Sequence, residues 1–198
     1  MKKLLSITFL SIFLTACGAA GISTSESKLD VKAGGKDMVL NVKSGEVYPS
    51  EMVFTAPGKP NVKTFVHKIY LANFEMDTSG GSGWTNKPLT APEQMRVQID
   101  LTGEEGTDMK SPFKVGTYTA QADKTSGVRT AIIRTFADGK QTDTRFDSLM
   151  SIGGGKKAEG EVKITNVTAD FVSGEVNLTE GDKSIKGAFT AKLPVAKK

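Results

Sequence analysis

From Met38 to Leu193, apolar residues recur at every second position in short runs, and turn residues break those runs at close intervals. A period of two places side chains on alternate faces of an extended chain, so the pattern asks for half-buried strands. Met95, Val97, Ile99 and Leu101 alternate with Arg96, Gln98, Asp100 and Thr102, the clearest such run. Met38, Leu40 and Val42 share one face of an earlier strand, and Met52 and Phe54 mark the next, closed by Pro57 and Pro60. In 62–74, β-branched and aromatic residues favour strand, with Phe65, His67, Ile69 and Leu71 on one face.

Residues 77–94 form a long Gly/Pro/Ser-rich loop, and 103–112 a second, acidic one. Runs over 114–121, 128–136 and 141–150 follow, with Phe146 and Met150 on one face of the last. Asp138-Gly139 is the signal of a type I′ hairpin, and Gly153-Gly154-Gly155 breaks the pattern. The runs 161–167, 171–179 and 184–193 complete the chain. Val172, Val176 and Leu178 share a face, as do Ile185, Phe189 and Leu193. About ten strands on short connections and no amphipathic helix of three turns predict an all-β, antiparallel domain, a sandwich or a closed barrel. The last five strands read as a meander. Lys186, Lys192, Arg96 and Asp100 on the outward positions predict a wet face, which argues against a membrane-spanning barrel.

The N-terminus is of another kind. Lys2 and Lys3 precede an apolar run from Leu4 to Leu14, followed by Thr15, Ala16 and the single cysteine, Cys17. That is the layout of a signal peptide over residues 1–16, and the run is too short to span a bilayer. The stretch Leu14-Thr15-Ala16-Cys17 resembles the bacterial lipoprotein lipobox. The resemblance implies that the Cys17 thiol receives a diacylglyceryl group. It also implies cleavage before Cys17 and acylation of the new amino group, with chains such as palmitate. Two or three acyl chains make a stable anchor where one is marginal. Gly18, where an aspartate would mark retention at the inner membrane, implies the outer membrane in a Gram-negative cell. Residues 18–198 resemble no named family.

Residues 17–36 read as the lipidated cysteine and a flexible tether spanning roughly 24 Å root-mean-square, and 37–198 as one β domain. The formal charge of +4 falls to about +2 once Lys2 and Lys3 leave with the signal. No basic block points to nucleic acid.

Chemistry-bearing residues are sparse. The only histidine, His67, sits among apolar residues and reads as packed rather than catalytic. Glu104, Glu105 and Asp108 fit no calcium-loop spacing and read as a solvated loop. Asn166-Val167-Thr168 and Asn177-Leu178-Thr179 read as strand residues rather than glycosylation sites. Neither a catalytic set nor a metal site is expected, and no cofactor. The only tryptophan, Trp84, stands in the loop 77–94 and is the one candidate ligand contact, either a binding anchor or a plug over an end or groove of the β core. The expected function is that of a membrane-anchored envelope lipoprotein with a binding or structural domain, its partners protein or polysaccharide. The alternatives are a lipocalin-like carrier of a small apolar ligand and, behind it, a hydrolase.

Overall fold

The computed structural model describes residues 27–54, 61–120, 126–146 and 158–194. Among these residues are eleven strands and one short 3-10 helix, Gly81–Asn86. The strands are β1 (Lys28–Ala33), β2 (Lys36–Asn41), β3 (Ser44–Phe54), β4 (Val62–Ala72), β5 (Met95–Thr102), β6 (Gly116–Thr119), β7 (Gly127–Ala137), β8 (Lys140–Arg145), β9 (Glu159–Val167), β10 (Phe171–Glu180) and β11 (Lys183–Lys192). The fold is all-β and mostly antiparallel, and the sheet is not closed into a barrel. Among the described residues, no helix is long and apolar enough to cross a membrane.

Two sheets face each other. One runs β6-β9-β10-β11-β1-β2, and the other β3-β4-β5-β7-β8. They are continuous through a single parallel bridge, Lys192 of β11 to Glu46 of β3. On the opposite side β6 nears the start of β7 without pairing, and a Cβ on Gly127 would lie only 2.5 Å from the Thr119 carbonyl oxygen. Lys183, at the head of β11, ties in the edge strand β8 by donating to the Arg145 carbonyl at 2.6 Å.

One apolar cluster fills the space between the sheets. It takes Leu29, Leu40, Ile69, Ile99, Leu178 and Phe189, among others, from strands of both sheets. On β4 the expected inward set Phe65, His67, Ile69 and Leu71 is buried as a row. Asp138 and Gly139 carry positive φ values of 51° and 74°, as a type I′ turn requires, and join β7 to β8. Asn166 and Asn177 lie in β9 and β10.

Three expectations are corrected. Residues 28–33 belong to a strand, not a tether. Leu29, Val31 and Ala33 alternate into the core while β1 pairs with both β2 and β11. The run is only three apolar residues long and is flanked by Ser and Gly, which hid it. The last five strands are not one meander. β7 and β8 form a hairpin in one sheet, β9, β10 and β11 a meander in the other, and β8 is an edge. The outward side of β5 is not wet either, because all eight of its residues are buried. Met150 and Gly153-Gly154-Gly155 lie outside the described residues.

Pro49 sits inside β3, where a ladder donor would ordinarily be needed. β3 pairs with β4 along its length but with β11 only at Glu46, so beyond that point it is an edge and accommodates proline.

If β1 is part of the core, Leu29→Ala costs about 2–5 kcal/mol in urea unfolding. Lys28→Ala, on the outward side, changes stability by no more than about 0.5 kcal/mol. Equal, negligible effects would return residues 28–33 to the tether.

Candidate functional site

The loop 77–94 is built as a cover. Lys87 Nζ lies 2.6 Å from Asp77 Oδ2, the Leu89 amide donates to Gln141 Oε1 at 2.8 Å, and Asn73 Nδ2 donates to the Glu93 carbonyl at 2.8 Å. The first bond closes the loop on itself, and the other two tie it to β8 and to Asn73 just past β4. Trp84 rides on the 3-10 helix and is 6% exposed. Its ring meets Tyr70 edge-on at 4.9 Å and Tyr48 at 6.3 Å. Both tyrosines project from the outer side of the β3-β4 pair, opposite the core residues Val47, Ile69 and Leu71. Trp84 therefore closes over the outside of the second sheet rather than over an end of the core. Little of the ring is left for a ligand to touch.

Beside it, the outward residues of β5 form a buried polar network. Gln98 Nε2 donates to Asp100 Oδ1 at 2.8 Å, and Arg134 Nη1 donates to Gln98 Oε1 at 2.9 Å. Arg134 Nε also reaches Asp143 Oδ2 at 3.3 Å. Burial raises the Asp100 carboxyl above the usual range, against the pull of the Gln98 bond and of Lys68, Arg134 and Arg129. Arg96 Nη2 donates to the Lys87 carbonyl at 2.9 Å and its guanidinium lies 5.9 Å from the centre of the Tyr70 ring. Arg96 Nε is buried and has no hydrogen-bond partner. Burial pushes the Tyr70 hydroxyl up to about 12, with Asp100 adding to the shift. These side chains hold one another and the cover.

His67 is a packed histidine. Its ring lies between Phe65 and Phe113, with centroids 4.1 and 4.0 Å away. Nδ1 is buried with no hydrogen-bond partner. Burial lowers its pKa from 6.5 to about 4, opposed by a hydrogen bond with the Ser111 backbone. Phe113 and Ser111 belong to the segment after β5, so His67 pins that segment to the core. In the same segment Glu104 and Lys114 form an exposed ion pair at 3.0 Å, and Asp108 Oδ1 accepts from the Lys110 amide. Among the described residues there is no group of three or more His, Cys, Asp or Glu placed to hold a metal ion.

Two clefts lie where the sheets meet. One, of about 310 Å³, opens between β6 and the start of β7, floored by Phe65 and rimmed by Glu104 and Lys114. The other, of about 390 Å³, lies at the β11–β3 bridge and is lined by Lys43, Glu46, Glu75, Phe171 and Lys192, with Ser27 in its wall. The Glu46 carboxyl is raised by burial; Lys192 lowers it and Glu75 raises it further. Nothing in the sequence marks this second group, because its members come from five separate stretches of chain and share no spacing. Cys17 lies outside the described residues.

Trp84→Ala is expected to cost about 3–5 kcal/mol, as for a buried ring, read by urea titration with circular dichroism. A loss below about 0.5 kcal/mol would mean the ring is not a plug. His67 is held neutral in the fold, so the unfolded chain binds its proton more readily. Its contribution is complete above pH 6.5 and is lost as pH falls through about 4, by about 3 kcal/mol in total. His67→Gln should flatten that part of the pH–stability curve; a curve unchanged by the substitution would count against a neutral, buried imidazole.

No family model, no curated protein and no solved structure matches this chain.

Proposed function

We propose that the protein is a lipid-anchored lipoprotein of the cell envelope, held by acyl chains on Cys17, whose β domain works by binding at its surface. The observation that supports surface binding over carriage is the interior. One continuous cluster of Leu, Ile, Val and Phe fills the space between the sheets, where a lipocalin-like carrier would keep a cavity. What the domain offers a partner is the outer side of β9, β10, β11 and β1, with exposed Glu161, Lys163, Glu175, Asn177, Lys186 and Lys28, and the two clefts at the seams. Envelope protein or polysaccharide is the partner such a mixed-charge, hydrogen-bonding surface suits. Gly18 directs the anchored form to the outer membrane of a Gram-negative cell.

A hydrolase reading has one observation in its favour, the raised Glu46 carboxyl beside Glu75 in a cleft. Lys192 works against it by drawing Glu46 back toward the charged form.

The anchor is tested by Cys17→Ser in the full chain. Fractionation is expected to show the variant released from the membrane or held as unprocessed precursor, with its β-sheet circular dichroism unchanged. A variant that is processed and stays in the membrane fraction like the wild type contradicts the reading.

A further inference from the structure

We propose that the cleft at the β11–β3 seam takes the headgroup of a zwitterionic phospholipid, phosphoethanolamine in its chemistry, and that the face around it rests on the membrane; this builds on the lipid anchor at Cys17. Four charged groups line this cleft, the carboxylates of Glu46 and Glu75 and the ammonium groups of Lys43 and Lys192. Some exposed charges of the domain are held in ion pairs, as in Lys63–Glu51 at 3.2 Å and Lys87–Asp77 at 2.6 Å, whereas this cleft gathers charges of both signs in one concavity. Among the described residues, none of the four cleft groups lies in an ion pair within 4.0 Å. Two unpaired anions beside two unpaired cations complement a ligand that carries both signs, an ammonium for the glutamates and a phosphate for the lysines.

Glu46 favours this over a plain anion. Burial and Glu75 still leave it raised although Lys192 draws it toward the charged form, so an arriving ammonium adds to what Lys192 supplies, while a lone phosphate does not. At the rim Phe171, at the head of β10, is 41% exposed. An exposed ring beside lysines is the composition of a surface that sits among headgroups, and the ring face also suits an ammonium.

Position selects a membrane lipid over a soluble zwitterion. Ser27 stands in the cleft wall, its carbonyl accepting from the Val42 amide and its hydroxyl from the Thr190 amide. It is ten positions after Cys17. Chain of that length reaches at most about 35 Å however it is arranged. The lead from Cys17 therefore enters the described domain at the seam cleft, while the β1–β2 turn at Gly34 is further along the chain.

The test is calorimetric titration of the purified full-length, lipidated protein in non-ionic detergent with O-phosphoethanolamine. Ethanolamine and inorganic phosphate serve as half-ligands. Saturable binding of phosphoethanolamine is expected, with each half-ligand weaker by about tenfold or more. Glu75→Gln and Lys192→Ala, both exposed and so harmless to folding, should each weaken it to a similar degree. Lys140→Ala, on β8, should leave it unchanged. No saturable binding, or binding untouched by both variants, overturns the site. A second arm separates the sources. The Cys17→Ser protein, with residues 1–16 removed, is co-sedimented with phosphatidylglycerol vesicles with and without phosphatidylethanolamine. Sedimentation that rises with phosphatidylethanolamine supports the membrane headgroup. Phosphoethanolamine binding without that rise overturns the membrane source and leaves a soluble zwitterion. Failure of the anchor would show separately, as a wild-type protein free of lipid by mass that still binds phosphoethanolamine.

Discussion

Strand β11 has three neighbours, and the rest of the fold follows from how it divides its edges among them. One edge is taken along its length by β10. The other is shared. β1 occupies it from Ser184 to Ala188, and at Lys192 β3 takes over in parallel. The handover brings two backbones very close, since a Cβ on Gly45 would lie 2.4 Å from the Thr190 carbonyl oxygen. Only glycine allows β3 to leave there and start the second sheet. The corner turns one sheet into two facing layers with a shared core, and the space beside it is the cleft between Lys43 and Lys192.

The two outer surfaces then meet different fates. The β9-β10-β11-β1 side keeps its charged residues in water, as a plain alternating strand predicts. The β4-β5-β7 side instead buries Tyr70, Arg96, Gln98 and Asp100, and polar groups removed from water must find partners or cost stability. Most find them in one another and in the loop 77–94. Arg96 Nε does not, and on the inward face of β4 neither does His67 Nδ1. Both orphans lie under segments that fold back over the sheet edges, Lys87 over Arg96 and Phe113 over His67, so the same long loops that make the surface also create its polar debts.

Much of this was legible in the chain, and the unread parts share a cause. The inward row Met95, Val97, Ile99, Leu101 and the Asp138-Gly139 turn are local signals, carried by neighbours in sequence. His67 as a packed ring follows from its apolar neighbours on β4. Arg96 and Asp100 looked wet because alternation reports only that one face differs from the other, not whether a distant loop covers it. β1 was hidden because its three apolar residues stand close to a Ser/Gly-rich stretch, and only pairing with β11, more than 150 residues away, makes it a strand. The seam cleft was unreadable for the same reason: Glu46, Glu75, Phe171 and Lys192 become neighbours only when β11 hands over to β3.

One core between the sheets and a covered outer face leave the seams and the β9-β10-β11-β1 side as the open surfaces of the described domain. All of that depends on the corner at β11. The most direct measurement is the pattern of backbone nuclear Overhauser contacts in the isotope-labelled protein. Contacts between Lys192 and Glu46, together with Lys28 to Ala188, are what the handover predicts. A continuous ladder of contacts between β6 and β7 with none between Lys192 and Glu46 would mean a sheet closed on the opposite side, and would contradict it.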